Sequence, residues 1–204
     1  MKRIKVLLVD DHAIIRNSLR SIIENEECIE VTGEAQEGIE ALEKVQKLHP
    51  HVVVMDITMP GMNGLEATQQ IKKKYPEIMV LILSMHSNQE YIFQTLRAGA
   101  SGYLIKKSAS EELIEAIYAA MRGLDYLSSV IFKIAIESHI HYRAKTNIED
   151  NLYDELNDDE RGVLQLAIEG DSTLEISEKL NINKKTVETY KSKIVEKLSF
   201  VQDK

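Results

Sequence analysis

The feature that most constrains this chain is an alternation of two hydrophobic periods over residues 1–122. Short runs rich in Val, Ile and Leu stand at Val6–Val9, Ile29–Val31, Val52–Met55, Met79–Leu83 and Tyr103–Ile105. Between them apolar residues recur three or four apart: Ile15, Leu19, Ile22 and Ile23, then Ile39, Leu42 and Val45, then Leu113, Ile117 and Met121. A continuous apolar run suits a strand buried on both faces, whereas the three-to-four spacing gives a helix one buried stripe. Five such alternations predict a parallel sheet covered by helices on both sides.

That pattern defines an α/β, flavodoxin-like doubly wound domain of five parallel strands, whose ligand site lies beyond the carboxyl ends of the strands. The rest of the chain reads differently. Gly123 to Tyr142 is a turn followed by an apolar helix (Val130, Ile131, Ile134, Ala135, Ile136), and Arg143 to Asn151 is polar without a helical stripe. Residues 123–151 therefore read as a linker carrying a helix. From Tyr153 onward only helical spacing remains: Val163, Leu164, Leu166 and Ala167, then Leu174, Ile176 and Leu180, then Val187, Ile194 and Leu198. Gly170-Asp171-Ser172 and Asn181-Ile182-Asn183 separate three short helices, so residues 152–204 form a small all-α domain.

Composition narrows the partners. A formal charge of −8 excludes a general polyanion binder, because nucleic-acid affinity rests on basic phosphate contacts, so a DNA site must be a local patch. Cys28 is the only cysteine, which rules out an intrachain disulfide. The apolar run Val6–Val9 is too short for a signal peptide or a membrane span. A soluble, cytoplasmic protein with no membrane partner is expected.

Each strand of the first domain ends in polar residues: Asp10 and Asp11 after the first, Asp56 at the end of the third, Ser84 at the end of the fourth and Lys106 after the fifth. A doubly wound sheet brings such ends to one crevice. Crowded carboxylates repel unless a cation neutralises them, and a hard divalent ion such as magnesium suits oxygen ligands and shares phosphate oxygens. With Lys106 as a fixed positive charge, the set fits phosphoryl transfer, in which positioning and charge neutralisation do most of the chemistry.

Val9-Asp10-Asp11-His12, Met55-Asp56-Ile57-Thr58-Met59-Pro60-Gly61-Met62-Asn63-Gly64, Leu83-Ser84-Met85-His86 and Ala98-Gly99-Ala100-Ser101-Gly102-Tyr103-Leu104-Ile105-Lys106 together resemble the receiver domain of bacterial response regulators. The resemblance implies that Asp56 is the phospho-acceptor, taking a phosphoryl group from a sensor histidine kinase. It implies Mg2+ held by Asp11 and Asp56, with Asp10 on a bound water and the Thr58 backbone carbonyl completing the protein ligands. Lys106 would pair with phosphoryl oxygens, Ser84 would hydrogen-bond the new group, and Tyr103 would swing inward behind it. The receiver would catalyse only its own phosphorylation and dephosphorylation. His86, two residues after Ser84, stands near the crevice mouth and could modulate water access.

Residues 156–198 resemble the LuxR-type helix-turn-helix of the NarL/FixJ class, through Glu160, Val163-Leu164, Gly170, Ser172, Glu175-Ile176, Leu180, Ile182, Thr186-Val187 and Lys197-Leu198. Asn183 is placed as an N-cap, with Ile182 and Val187 as a hydrophobic staple across it. At 100° per residue, Val187, Tyr190, Ile194 and Leu198 fall inward on the last helix. Lys185, Glu188, Thr189 and Ser192 fall outward, where a recognition helix meets base edges, and Lys184, Lys191, Lys193 and Lys197 flank them toward phosphates. The implied partners are double-stranded DNA and, on phosphorylation, a second copy of the chain. Three departures stand against this pattern: Asp159 replaces a basic residue, Glu188 takes a position where lysine is common, and the sequence ends six residues after Leu198, where relatives continue into a fourth helix. A phospho-switched adaptor whose helical domain binds protein stays open. A phosphatase on the same fold is disfavoured, because Thr58 stands where such enzymes carry a second Asp.

Overall fold

The computed structural model describes residues 3–146 and 155–199, with the side chains of 140–146, 198 and 199 outside the description. The chain divides into two compact units, Met1–Gly123 and Leu124–Lys204.

In the first unit β1 (Ile4–Val9), β2 (Ile29–Ala35), β3 (Val52–Asp56), β4 (Met79–Ser84) and β5 (Gly102–Ile105) alternate with α1 (Ala13–Glu24), α2 (Gly38–Leu48), α3 (Gly64–Lys74), α4 (Gln89–Arg97) and α5 (Ala109–Met121). The five strands run parallel in the order β2-β1-β3-β4-β5. Val6, Leu7, Leu8, Val52, Val53, Met55, Val80, Leu81 and Ile82 are fully buried, as strands covered on both faces must be. The register pairs Val9 with Met55, Asp56 with Leu83 and Ser84 with Ile105, so Asp10, Asp56, Ser84 and Lys106 emerge along one edge of the sheet.

Strand β2 extends four residues beyond its apolar run. It lies at the sheet margin, and only Ile29 and Ala35 are buried, so Thr32, Gly33 and Glu34 carry no hydrophobic signal. Helix α3 is capped by the Asn63 side chain, which accepts from the Glu66 amide at 2.9 Å. Gly64 opens that helix against the end of β3, its amide donating to the Ile57 carbonyl at 2.9 Å. A Cβ at Gly64 would stand 1.9 Å from the Asp56 carbonyl oxygen, so only glycine lets the helix start this close to the site.

The second unit begins with a short strand, β6 (Tyr126–Leu127), and continues through α6 (Ser129–Thr146), α7 (Asp158–Glu169), α8 (Thr173–Lys179) and α9 (Lys184–Ser199). Capping boxes open α7 (Asn157 with Glu160) and α8 (Ser172 with Glu175), and Gly170, at φ 104°, ends α7. The Asn183 side chain accepts from the Thr186 amide at 2.8 Å at the start of α9, the cap read from the sequence. Leu156, Val163, Leu164, Ala167, Ile176, Val187, Ile194 and Val195 are buried, and α6 packs on α7 and α9. Helix α6 runs to Thr146, four residues into the segment read as linker, and residues 147–151 lie outside the described part. Among the described residues no helix is long and apolar enough to cross a membrane.

Candidate functional site

At the carboxyl edge of the first unit, Lys106 reaches between two carboxylates. Its Nζ stands 2.6 Å from Asp10 Oδ2 and 2.7 Å from Asp56 Oδ2, and all three side chains are nearly buried. Burial pushes the Asp56 carboxyl up, partly offset by the Lys106 ammonium and reinforced by the Asp10 charge. Burial alone would lower Lys106, but hydrogen bonds to Asp10 and Asp56 dominate and raise it. Asp56 Oδ1 receives only a long contact from the Thr58 amide, 3.4 Å.

Asp11 and His12 complete the cluster. One ligand atom from each of Asp10, Asp11, His12 and Asp56 lies within 4.8 Å of the others. His12 Nδ1 is 2.7 Å from Asp11 Oδ1 and 3.3 Å from Asp10 Oδ1. The buried Asp10 Oδ2 and Asp11 Oδ1 have no well-directed hydrogen bond; the Lys106 ammonium stands beside the first and the His12 ring beside the second. Three carboxylates facing one fixed ammonium leave excess negative charge in a partly buried site, so the donor set fits a metal cation. His12 joins the cluster through the polar strand-end run Asp10-Asp11-His12.

Ser84 is fully buried beside the cluster, its Oγ accepting from the His86 amide at 3.0 Å. Tyr103 is also fully buried, and its hydroxyl donates to the His86 carbonyl at 2.8 Å. The Tyr103 ring, for which an inward swing is expected, is buried in this structure. The His86 imidazole, exposed, stacks on Tyr91 with centroids 6.1 Å apart.

The second expected site needs correction. Along α9, Lys184, Lys185 and Lys193 are exposed and Thr189 is half-buried, but Glu188 is 7% and Ser192 1% exposed. Glu188 and Ser192, expected outward on a helix covered on one side, are buried because α9 is covered on two. A second side is covered by the segment preceding and opening α6: the Asp125 amide donates to Ser192 Oγ at 3.0 Å. Lys191, expected to flank the strip toward phosphates, is buried. Its Nζ lies 3.0 Å from Thr173 Oγ1, 3.5 Å from Ser129 Oγ and 5.5 Å from the Phe132 ring centroid. Lys197 is bound to Glu160 at 2.6 Å and to the Glu155 carbonyl at 2.9 Å, which withdraws it as well. Tyr190 is only half-buried, and its hydroxyl donates to Asp159 at 2.8 Å, the residue standing where a basic one was expected. The Leu198 side chain lies outside the described residues.

Comparison with known proteins accounts for both halves. Residues 6–118 match the response regulator receiver domain family, and residues 154–202 match the bacterial regulatory proteins of the luxR family. The oxygen regulatory protein NreC of Staphylococcus carnosus is 34% identical over 197 residues, 96% of this chain and 91% of that protein. A LuxR-family two-component response regulator from an Aurantimonas species superposes with a TM-score of 0.59 at 37% identity, covering 61% of this chain and 89% of that one. The RcsB response regulator of Salmonella typhimurium, studied for conformational dynamism in DNA interaction, gives a TM-score of 0.62 at 25% identity over 100% of this chain and 95% of its own. With a receiver sheet, a carboxylate cluster at its carboxyl edge and a helix-turn-helix behind it, the chain belongs to the two-component response regulators of the NarL/FixJ class, phosphorylation-activated DNA-binding transcription regulators rather than conventional enzymes.

Proposed function

We propose that Asp56 takes a phosphoryl group from a sensor histidine kinase and that the phosphorylated chain binds double-stranded DNA as a homodimer. The observation that carries this reading is the nearly buried Lys106 ammonium set between the nearly buried Asp10 and Asp56 carboxylates. An Asp56 oxygen attacks the phosphorus of a phosphohistidine, the P–N bond breaks and the departing imidazole takes up a proton. Lys106, already within 3 Å of Asp56, passes to the phosphoryl oxygens as negative charge moves outward. The Ser84 hydroxyl donates to the new group. Asp10, Asp11 and Asp56, with the Thr58 carbonyl, would hold Mg2+, which supplies charge neutralisation on the phosphoryl oxygens.

The DNA half rests on Lys184, Lys185 and Lys193, exposed along α9, with Glu188, Thr189 and Ser192 on the strip between them. Residues 155–199 carry seven Lys or Arg against ten Asp or Glu, so binding depends on this local patch. With Glu188 and Ser192 covered, the unphosphorylated chain binds weakly, and binding requires the segment from Asp125 to Phe132 to leave α9. Helices α1 and α5, adjacent on the receiver surface, supply the dimer face.

The test is fluorescence anisotropy on a selected DNA library, with sedimentation, before and after treatment with a small phosphodonor and Mg2+. The expected outcome is a salt-dependent, sequence-selective dimer that Asp56→Asn abolishes. The burial of Glu188 and Ser192 favours one second reading, an adaptor that binds protein through the helical unit. A phosphorylated dimer that enriches no sequence and shows no salt-dependent DNA binding would favour it.

A further inference from the structure

Arg16 is a buried charged side chain that the phosphoryl chemistry does not use. It occupies the inward stripe of α1 with Leu19 and Ile23, yet it is an arginine, 8% exposed. Its Nη1 donates to the backbone carbonyl of Asp10 at 2.7 Å, and its Nε donates to Glu34 Oε2 at 3.0 Å. Glu34 is fixed in turn by Arg20, whose Nε and Nη2 meet Oε1 at 2.8 and 2.6 Å, and the Glu34 carbonyl accepts from Lys44.

We infer that Arg16 is a positioning residue for the cation site, holding the Asp10 peptide so that the Asp10 carboxylate keeps its place in the cluster. Asp10 stands one residue past the last pair of the β1 ladder, Val9 with Ala35 and Met55. Its amide is held by the Ala35 carbonyl at 3.1 Å; its own carbonyl has passed beyond the sheet and is met by Arg16 from the helix side. The two anchors fix both peptide planes flanking the Asp10 Cα, and with them the direction of its side chain. One side-chain oxygen then accepts from the His12 amide at 2.8 Å while the other faces Lys106. The planar guanidinium suits this task because its two donors diverge at a fixed angle, one to β1 and one to β2. Lysine reaches one of the two acceptors and alanine neither.

This inference takes the cluster to be the cation site of the proposed phosphoryl transfer, and its test separates the two ideas. Full-length parent, Arg16→Ala, Arg16→Lys and Glu34→Gln are titrated with Mn2+ without a phosphodonor, reading the free ion by electron paramagnetic resonance. The Mg2+ dependence of phosphorylation by acetyl phosphate is then measured on the same proteins. Arg16→Ala is expected to weaken Mn2+ binding about 10–100-fold, the usual effect of losing an outer hydrogen bond to a metal ligand, and to raise the half-saturating Mg2+ in parallel. The rate at saturating Mg2+ falls by less than the affinity, which a general loss of structure would not produce. Arg16→Lys restores part of the affinity, and Glu34→Gln shifts it in the same direction as Arg16→Ala but less. Mn2+ affinity unchanged within about twofold in Arg16→Ala, folded by circular dichroism, overturns the inference. Should Arg16→Ala not fold, parental affinity in both Arg16→Lys and Glu34→Gln overturns it. A parent that binds Mn2+ at this cluster but accepts no phosphoryl group defeats the proposed function and leaves the role of Arg16 readable from the Mn2+ titration alone.

Discussion

The carboxylate crevice of the first unit and the polar face of α9 in the second are both sets of charged side chains, but they are built in different ways. The crevice is assembled from the ends of β1, β3, β4 and β5, each locked by ladder hydrogen bonds to its neighbours, so its charges are near each other before any ligand arrives. The face of α9 is a single helix surface, and what it presents depends on which chain segment lies across it. Here Asp125, Ser129 and Phe132 meet Ser192 and Lys191. A site set by several strand ends is settled by the fold; a site on one helix remains subject to whatever covers it.

The largest expected effect tests the preassembled half. Lys106→Ala removes the ammonium between Asp10 and Asp56 and should slow phosphorylation by a small phosphodonor about 10²–10³-fold, the cost of losing a charge-stabilising donor. A rate within a few-fold of the parent would mean that the crevice does not depend on its fixed cation.

The covered half is tested by uncovering it. Phe132→Ala removes the ring beside Lys191 and should raise the DNA affinity of the unphosphorylated chain about tenfold, narrowing its gap to the phosphorylated form. If anisotropy shows equal affinity with and without the ring, the cover is not what limits binding. On the exposed strip, Lys185→Ala should cost about 1–3 kcal/mol on the selected sequence, while Lys193→Ala should weaken all sequences alike and reduce the salt slope by about one.

The smallest effect concerns stability of the helical unit. Burial favours a raised Glu160 carboxyl, but the Lys197 ammonium and the Asn157 amide outweigh it and hold Glu160 below its ordinary value of 4.5. A carboxyl depressed in the folded state stabilises above its unfolded value and loses that contribution as pH falls through the folded one. The thermal midpoint of the chain should therefore fall on acidification below about pH 4.5, and Glu160→Gln should flatten that slope. An unchanged slope in the variant would show that the Glu160–Lys197 pair does not couple to folding.

Much of the first site was legible because its elements carry strong local signals. The apolar runs of β1, β3 and β4 end at Asp10, Asp56 and Ser84, and a parallel sheet has only one edge to which such ends can converge. Arg16 escaped notice because an arginine in a helical stripe reads as surface charge until its partners, Asp10 and Glu34, are brought to it by β1 and β2. The burial of Tyr103 was not legible, because its hydroxyl meets the carbonyl of His86, a residue seventeen positions earlier. The α9 cap at Asn183 was readable because a cap involves residues three apart; the burial of Lys191 and Ser192 was not, because their partners Thr173, Ser129 and Asp125 stand 18, 62 and 67 positions away.

By itself, the sequence determined the element types, the membership of both halves in their families and the identity of the clustered carboxylates, because these rest on period, motif and chain order. The tertiary structure alone decided that Lys106 bridges Asp10 and Asp56, that Tyr103 lies inward, that Arg16 braces the Asp10 peptide and that half of the α9 strip is closed. Those are outcomes of contact between residues distant in sequence. Accessibility and hydrogen-bond partnership belong to the packed surface, which no single segment specifies.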